Sequence, residues 1–329
     1  MGGTTQKTTR IDGAHPAGPR RVGLIAGWGR YPLVVAEALR AAGHEVYCLA
    51  VKGHADPRLA EVCHDFCWSG LAKFGGAMRY FKRHGVSEAT MAGKIRKVVL
   101  FRPGGWLSHL PDWRTIRMFA PHFLTRRKDL KDDTLLGAIV EEFAAEGIHF
   151  GPATDYAPNL LVGQGQLTRL GPSPRQQEDI EFGWRMAKEM GRLDVGQSVA
   201  VKDRAVMAVE AIEGTDECIR RAGTLCKSGG FTVVKVAKPQ QDMRFDVPTI
   251  GRRTLKTMIH SGGRVLAVEA RRTIILDEPE LIDFANQNRL IVVSLEYQPT
   301  ESPGTRASGA GDSRVPAIIP ETPCRSRER

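Results

Sequence analysis

Apolar residues in the first half of the chain predict strands and helices in alternation. The run over 21–26 predicts a strand, a glycine-containing loop over 27–32 follows it, and the pattern over 33–42 predicts a helix. A second strand is predicted over 45–50, and a strand, loop, helix and strand in this order favour a parallel sheet. The same pattern continues with a helix over 72–84, a strand over 89–92 and a helix over 132–146.

The second half of the chain follows a stretch that is dense in breakers of secondary structure. Eight glycine and proline residues predict a linker over 151–175. A helix is predicted over 175–190, and Ile180, Trp184 and Ala187 form its buried face because they recur about once per helical turn. Strands over 198–202, 205–211, 232–237, 264–269, 272–276 and 290–295, and helices over 216–222, 252–261 and 279–288, complete the prediction.

These patterns predict an α/β protein with two domains. The N-terminal domain is expected over 21–150 and the C-terminal domain over 176–298, on either side of the linker. Both ends of the chain are rich in glycine, proline and small polar residues and have few apolar residues to bury. We therefore predict disordered tails over 1–20 and 299–329.

Three polar blocks interrupt the second half where predicted strands end. They read GRLDVGQ over 191–197, EAIEGTD over 210–216 and KPQQDMRFDVPTIG over 238–251. An ordinary core strand needs alternating or continuous apolar residues, whereas each apolar run here ends in carboxylates, amides, glycine or lysine. The blocks therefore predict that chemistry is placed at these strand ends.

Asp246 is the first candidate for that chemistry, because it lies in the apolar and backbone-restricted sequence FDVP. An unpaired charge is costly in such a setting, and a cation makes it tolerable. One interpretation is a hard oxygen ligand for Mg²⁺ or Mn²⁺, a metal that neutralises phosphate charge and lowers the pKa of bound water. The alternative is a structural salt bridge to Arg244 or Lys238.

The block over 210–216 contains further candidates. Glu210 and Asp216 are predicted to position a metal or a water molecule, and Gly214 and Thr215 offer an amide and a hydroxyl to a phosphate. Asp216 or Thr215 can alternatively cap the helix that follows. Capping accounts for one of these residues and not for all of them.

Four more positions are predicted to contact substrate. Lys238 lies at a strand end and suits a phosphate oxygen, whereas Gln197 suits a nucleoside or sugar hydroxyl. Gly27 and Gly29 lie between a strand and a helix, where backbone amides can approach a phosphate or a ribose. A structural turn is the alternative for the two glycines. No acidic residue closes the second strand, so an NAD site is poorly supported.

The three polar blocks resemble those of the LpxI-type UDP-2,3-diacylglucosamine pyrophosphatases, and the likeness extends from about residue 22 to about residue 295. The resemblance implies a Rossmann-like N-terminal domain, a second α/β domain and an active site in the cleft between them. It matches Asp246 to an essential aspartate and Asp132 and Asp133 to an acidic pair near the substrate. Favourable charge at a helix N-terminus is the alternative for that pair.

The activity that the resemblance implies is a hydrolysis on the route to lipid A. Metal-activated water would attack the α-phosphorus of UDP-2,3-diacylglucosamine and release UMP and 2,3-diacylglucosamine 1-phosphate, with Mg²⁺ or Mn²⁺ held by Asp246. A hydrolase for another UDP-linked sugar and a non-catalytic nucleotide-sugar-binding regulator are the alternatives. The presence of both Asp246 and Glu210 argues against the regulator.

The net charge of +10 is concentrated in one segment. Residues 94–131 carry ten basic and two acidic residues, with aromatic residues interleaved. An anionic membrane or lipid, a solvated helix face over core aromatics, and nucleic acid all fit such a pattern. No recognised nucleic-acid module accompanies the segment, so we expect a membrane partner and no nucleic acid.

The sequence also gives expectations about location. It has no run of about 18 apolar residues to span a bilayer, and its first residues have no apolar stretch typical of a secretory signal. We therefore expect a cytoplasmic protein that is peripheral on the inner face of the inner membrane. Six cysteines in a chain of this length predict reduced thiols, and homo-oligomerisation is a further expectation.

Overall fold

The computed structural model describes residues 19–95, 110–117, 132–244 and 246–296, without the side chains of 132–135. The described residues belong to one compact unit that ends at Glu296. They form two main sheets flanked by helices, which confirms the predicted α/β class. Apart from residues 19 and 20, both predicted tails lie outside the described residues, as does most of the basic segment over 94–131. The domain boundaries stay a prediction.

The first sheet has five parallel strands in the order β3-β2-β1-β4-β5. Its strands are β1 (Arg21–Ala26), β2 (Glu45–Val51), β3 (Asp65–Ser69), β4 (Glu88–Ala92) and β5 (His149–Phe150). The helices of this half are α1 (Tyr31–Ala41), α2 (Leu59–Val62), α3 (Phe74–Arg83), α4 (Asp132–Ala145) and α5 (Ala153–Tyr156). Every element that the sequence predicts here is present, with bounds that agree to within two residues.

The second sheet has six strands in the order β6-β13-β11-β9-β7-β8. They are β6 (Gly165–Gln166), β7 (Ser198–Lys202), β8 (Ala205–Val209), β9 (Phe231–Lys235), β11 (Gly263–Glu269) and β13 (Ile291–Leu295). Strands β9, β11 and β13 are parallel, while β6, β7 and β8 each run antiparallel to a neighbour. A separate parallel pair consists of β10 (Thr249–Ile250) and β12 (Ile274–Ile275).

Helices cover both faces of the second sheet. Helix α6 (Pro174–Arg192) packs on one face and buries Ile180, Trp184 and Ala187, which confirms the predicted buried stripe. Helices α7 (Thr215–Leu225), α8 (Arg252–Ser261) and α9 (Glu278–Gln287) pack on the other face. The sheet is therefore covered on both faces, as the continuous apolar runs of β9 and β13 predict.

Segments of the second half also pack against the core of the first sheet. Val247 and Ile274 belong to the same buried cluster as Val22 and Leu24 of β1. The predicted linker contributes as well, because it contains α5, a short 3₁₀ helix (Pro158–Leu160) and β6, and it buries Leu160 in that cluster. These contacts bring the loops that follow β1 and β4 towards the polar blocks of the second half.

An ion-pair network strengthens this contact. Arg30, directly before α1, binds Asp277 through Nη2 at 2.8 Å and Nε at 3.1 Å, and it also approaches Glu37. The hydrogen bonds to Asp277 raise the pKa of the Arg30 guanidinium.

Within the described ranges, no helix is both long and apolar enough to cross a bilayer.

Candidate active site

The ends of three neighbouring strands place polar residues at one edge of the second sheet. Ser198 of β7 lies opposite Lys235 of β9 in the antiparallel register. The Glu210 amide donates to the Ser198 carbonyl at 2.8 Å, and the Val236 amide donates to the Gln197 carbonyl at 3.0 Å. Backbone hydrogen bonds therefore join the first polar block to the end of β9 and the second polar block to the start of β7.

Lys235 is the centre of this edge, and its side chain is buried. Its Nζ donates to Thr215 Oγ1 at 3.0 Å, and Thr215 Oγ1 donates in turn to Glu210 Oε1 at 2.9 Å. Burial lowers the pKa of the Lys235 ammonium, because desolvation disfavours the charged form. Glu210 is also buried. The threonine hydroxyl therefore connects a buried cation to a buried carboxylate.

Several polar atoms here have more hydrogen-bonding capacity than their neighbours use. Glu210 Oε2 and Gln197 Oε1 are buried and have no hydrogen-bond partner among the described residues. Lys235 carries three donors, and the described side chains give it one acceptor, Thr215 Oγ1. Buried polar groups without partners are costly and uncommon. The unpaired atoms indicate that this edge is built to bind a polar ligand or water.

The predicted catalytic carboxylates act on the same buried ammonium. Besides burial, the charges of Glu210, Asp246 and Asp216 raise the pKa of Lys235, and that of Lys94 lowers it. Asp216 additionally forms an ion pair with Arg253, with Nε to Oδ2 at 2.6 Å. The three carboxylates predicted from sequence therefore lie within electrostatic range of one buried lysine, which is not among the candidates predicted from sequence.

Asp246 lies in a loop that is tied down on both sides. Its carboxylate is exposed and accepts from Gln241 Nε2 at 2.5 Å. The next residue, Val247, is packed in the core of the first sheet, and the Pro248 carbonyl accepts from the Ile274 amide at 2.8 Å. The loop is thus held at the contact between the two sheets, with the Asp246 side chain facing solvent.

The cations considered as salt-bridge partners of Asp246 bind other carboxylates. Arg244 binds Asp242 through Nη2 at 2.7 Å, and Lys238 Nζ donates to Asp194 Oδ1 at 2.8 Å. The predicted phosphate ligand Lys238 is therefore already ion-paired. These pairs leave the carboxylate of Asp246 available for a role other than neutralising either cation.

Helix α7 begins at the site. Gly214 precedes it with a φ of 84°, a left-handed value that favours glycine, and Thr215 is its first residue. Because the N-cap is Gly214 and no side chain caps the helix, the alternative in which Asp216 or Thr215 is the cap is wrong. The N-terminal amides of α7 and the Thr215 hydroxyl thus lie beside the Lys235 ammonium.

The glycine loop after β1 pairs with the loop after β4. Trp28 and Lys94 exchange backbone hydrogen bonds, of 2.8 and 2.9 Å. A Cβ on Gly27 would lie 2.9 Å from the Lys94 carbonyl oxygen, so this glycine is needed for close packing. Gly29 differs, because its φ is 114° and a Cβ there would meet no atom within 4 Å. The structural alternative therefore accounts for both glycines, because the positive φ of Gly29 itself favours glycine, and ligand contact at Gly27 or Gly29 stays a prediction.

Two further predictions, for Asp133 and for the basic segment over 94–131, concern regions that lie partly outside the described residues. Asp133 lies in the first turn of α4, and its side chain is not among the described ones. Of the basic segment, residues 94–95 and 110–117 are described. The predictions for both therefore stay predictions.

Gly196 explains why the first polar block contains glycine directly before Gln197. A Cβ at this position would lie 1.9 Å from the Glu210 carbonyl oxygen, closer than two unbonded atoms can approach. We expect Gly196→Ala to displace Glu210, to reduce the free energy of unfolding by about 1–3 kcal/mol and to lower turnover. Gly137→Ala is the control, because a Cβ in the middle of α4 meets nothing within 4 Å and should stabilise the helix by about 0.5–1 kcal/mol. Denaturant unfolding measures both, and unchanged stability in Gly196→Ala would contradict the close approach.

Metal binding at this edge would involve few protein ligands. Within the described part of the chain, no three His, Cys, Asp or Glu side chains converge as a protein-only metal site. Mg²⁺ commonly takes one or two carboxylates and completes its shell with water and substrate phosphate oxygens. The exposed Asp246 carboxylate and the unpaired Glu210 Oε2 fit that mode of binding.

Lys235 is the functional candidate that sequence reasoning missed. Its strand reads FTVVK over 231–235, which the hydrophobic pattern alone predicts as an apolar core strand. The available signal was a lysine at the end of a strand that is otherwise continuous and apolar, since lysine is almost never fully buried unless it is paired.

Comparison with known proteins shows which family contains this chain. The sequence model of the LpxI N-terminal domain matches residues 21–160, and that of the LpxI C-terminal domain matches residues 163–293. The chain is also 30% identical over 286 residues to the UDP-2,3-diacylglucosamine pyrophosphatase LpxI of Caulobacter vibrioides. That similarity covers 85% of this chain and 99% of the relative. The chain, in which Lys235 is buried at the edge of the second sheet, therefore belongs to the LpxI family.

Proposed function

We propose that the protein hydrolyses the diphosphate of UDP-2,3-diacylglucosamine to UMP and 2,3-diacylglucosamine 1-phosphate, a step in lipid A synthesis. The observation that carries the proposal is the buried Lys235 ammonium, on which the carboxylates of Glu210, Asp216 and Asp246 act. A diphosphate needs a cation where its negative charge increases during cleavage, and carboxylates are needed to hold a water molecule or a metal. The relative from Caulobacter vibrioides is named for this activity.

The residues divide into two groups by chemistry. Lys235 and the N-terminal amides of α7 are donors, and they suit the diphosphate oxygens, whereas the Thr215 hydroxyl already donates its one proton to Glu210. Glu210 and Asp246 are acceptors, and they suit the attacking water. Gln197 Oε1, buried without a partner among the described residues, suits a hydroxyl or N–H of the nucleotide or sugar.

Mg²⁺ or Mn²⁺ is the cofactor we propose, with Asp246 as its protein ligand. The metal would neutralise phosphate charge and lower the pKa of bound water. The protein itself holds Asp246 in an anchored loop and keeps Lys235 within electrostatic range of the carboxylates.

Chelation should stop turnover and leave the fold intact. The two sheets have their own buried cores, so we expect EDTA to abolish UMP release without lowering Tm, and Mg²⁺ or Mn²⁺ to restore it. Circular dichroism during thermal unfolding, with and without EDTA, checks the second point. Full activity after exhaustive chelation would make the cofactor proposal wrong.

The function itself is tested by product analysis in heavy-oxygen water. Purified protein, UDP-2,3-diacylglucosamine in detergent and Mg²⁺ should yield UMP and the sugar 1-phosphate in equal amounts. Label in UMP would confirm the predicted attack at the α-phosphorus, and label in the sugar phosphate would make that prediction wrong. UMP from UDP-N-acetylglucosamine at an equal rate would favour a hydrolase of another UDP-sugar, and binding without products would favour the regulator.

A further inference from the structure

A basic groove of about 520 Å³ lies between α7 and α8, on the surface of the second half. We call it the α7/α8 groove. Its basic lining residues are Arg220, Lys227, Arg253, Lys256 and His260. Thr224, Thr257 and Ser261 also line it, but the Thr224 and Thr257 hydroxyls already donate to backbone carbonyls of their own helices. Cations clustered in one groove are groups that bind phosphate oxygens.

The groove begins at the candidate active site. Asp216 in the first turn of α7 binds Arg253 in the first turn of α8, with Nε to Oδ2 at 2.6 Å. At the other end of the helices, a Cβ on Gly223 would lie 2.6 Å from the Ser261 carbonyl oxygen. The two helices therefore run side by side in the same direction. Helix α7 has 11 residues, so the groove extends about 16 Å from the site at 1.5 Å per residue.

The charge of the groove is only partly neutralised. Arg253 binds Asp216, and Arg220 binds Glu217. Lys227 and Lys256 are exposed, and neither has an ion-pair partner within the described part of the chain. The excess positive charge thus lies beyond the two ion-paired arginines, from Lys256 in the middle of α8 to Lys227 after the end of α7.

We propose that the α7/α8 groove binds the phosphate groups of anionic membrane lipids and docks the protein on the bilayer surface. The proposal rests on the proposed function, because a diacylated substrate remains in the membrane and the protein must reach it there. Leu225, at the end of α7 beside the groove, is 58% exposed. An exposed leucine next to lysines is typical of a surface that meets lipid head groups. This feature and the continuity with the site favour lipid over nucleic acid.

Two matched double variants test the groove. Lys227→Glu with Lys256→Glu reverses the two lysines, and Arg175→Glu with Arg185→Glu makes the same charge change on α6, on the opposite face of the sheet. Flotation with phosphatidylglycerol and phosphatidylcholine vesicles measures binding without substrate. Each basic residue near an anionic surface strengthens binding about fivefold, so we expect the groove variant to bind phosphatidylglycerol vesicles at least about 25-fold more weakly. The α6 variant should lose much less.

Further measurements distinguish lipid phosphate from free inorganic phosphate, and they distinguish failure of the docking proposal from failure of the proposed function. Wild-type binding should fall with salt, and millimolar inorganic phosphate should compete only weakly, because it presents one phosphate rather than a charged surface. UMP release from detergent-dispersed substrate should be unchanged in the groove variant, and thermal unfolding checks that it is folded. Equal vesicle binding by both variants, equal binding to phosphatidylcholine, or tighter binding to RNA than to vesicles would overturn the docking proposal. Lack of UMP release by a wild type that binds vesicles would instead contradict the proposed function.

Discussion

Asp246→Asn is expected to lower kcat at least about a thousandfold and to leave the fold unchanged. The carboxylate is exposed, so its loss has little effect on packing, and asparagine keeps an oxygen that can accept from Gln241. The variant loses the negative charge that acts on Lys235 and would hold the metal. Initial rates of UMP release measure kcat, and calorimetry with the substrate measures whether binding is retained.

Asp242→Asn is the matched control for this result. Asp242 lies in the same loop, but its carboxylate binds Arg244, whose hydrogen bonds lower the pKa of Asp242. We expect turnover to stay within about tenfold of wild type, on the scale where 1.4 kcal/mol is one decade. Turnover within tenfold in Asp246→Asn, or an equal loss in Asp242→Asn, would contradict a specific role for Asp246.

The fold could be predicted because each element carries its own local pattern. Helix α6 repeats apolar residues at the helical period, and β13 (Ile291–Leu295) belongs to a mostly apolar run between Arg289 and Glu296. Such patterns depend on neighbours within one element, so a single sequence contains them. The pairing of β6 with β13 is different, because it joins two short segments that are far apart in the chain.

The site was predicted in part, for the same physical reason. Glu210 and Asp246 interrupt apolar runs, which makes them visible in the sequence. The effect of Lys94 on the pKa of Lys235 requires the loop after β4 to lie within electrostatic range of the second sheet, and no local pattern encodes that arrangement. The ion pair between Lys238 and Asp194 likewise depends on tertiary structure. The sequence alone therefore predicts Lys238 as a phosphate ligand.

Lys235→Met should lower kcat/KM by about a hundredfold to a thousandfold. Methionine has a similar length and no charge, and removal of one preorganised donor to a developing negative charge typically costs this much. A role for the protonated amine also gives a sign to the pH dependence. Because burial lowers the pKa of Lys235, wild-type activity should fall on the alkaline side, at a pH below the ordinary lysine value of about 10.4. In Lys235→Arg, whatever activity remains should lose this alkaline limb, because arginine stays protonated.

The partner of Lys235 in this prediction is Glu210, to which Thr215 connects it. Lys235→Met alone leaves a buried carboxylate without its cation, and Glu210→Gln alone leaves a buried ammonium without its anion. Both single variants should therefore unfold at a lower denaturant concentration than the wild type, and the double variant should lose less stability than the sum of the two single losses. For catalysis, the double variant should be about as slow as Lys235→Met, because the two groups act as one unit. Additive losses in both stability and kcat/KM would mean that the Thr215 connection carries no coupling, and Lys235 would then act independently of Glu210.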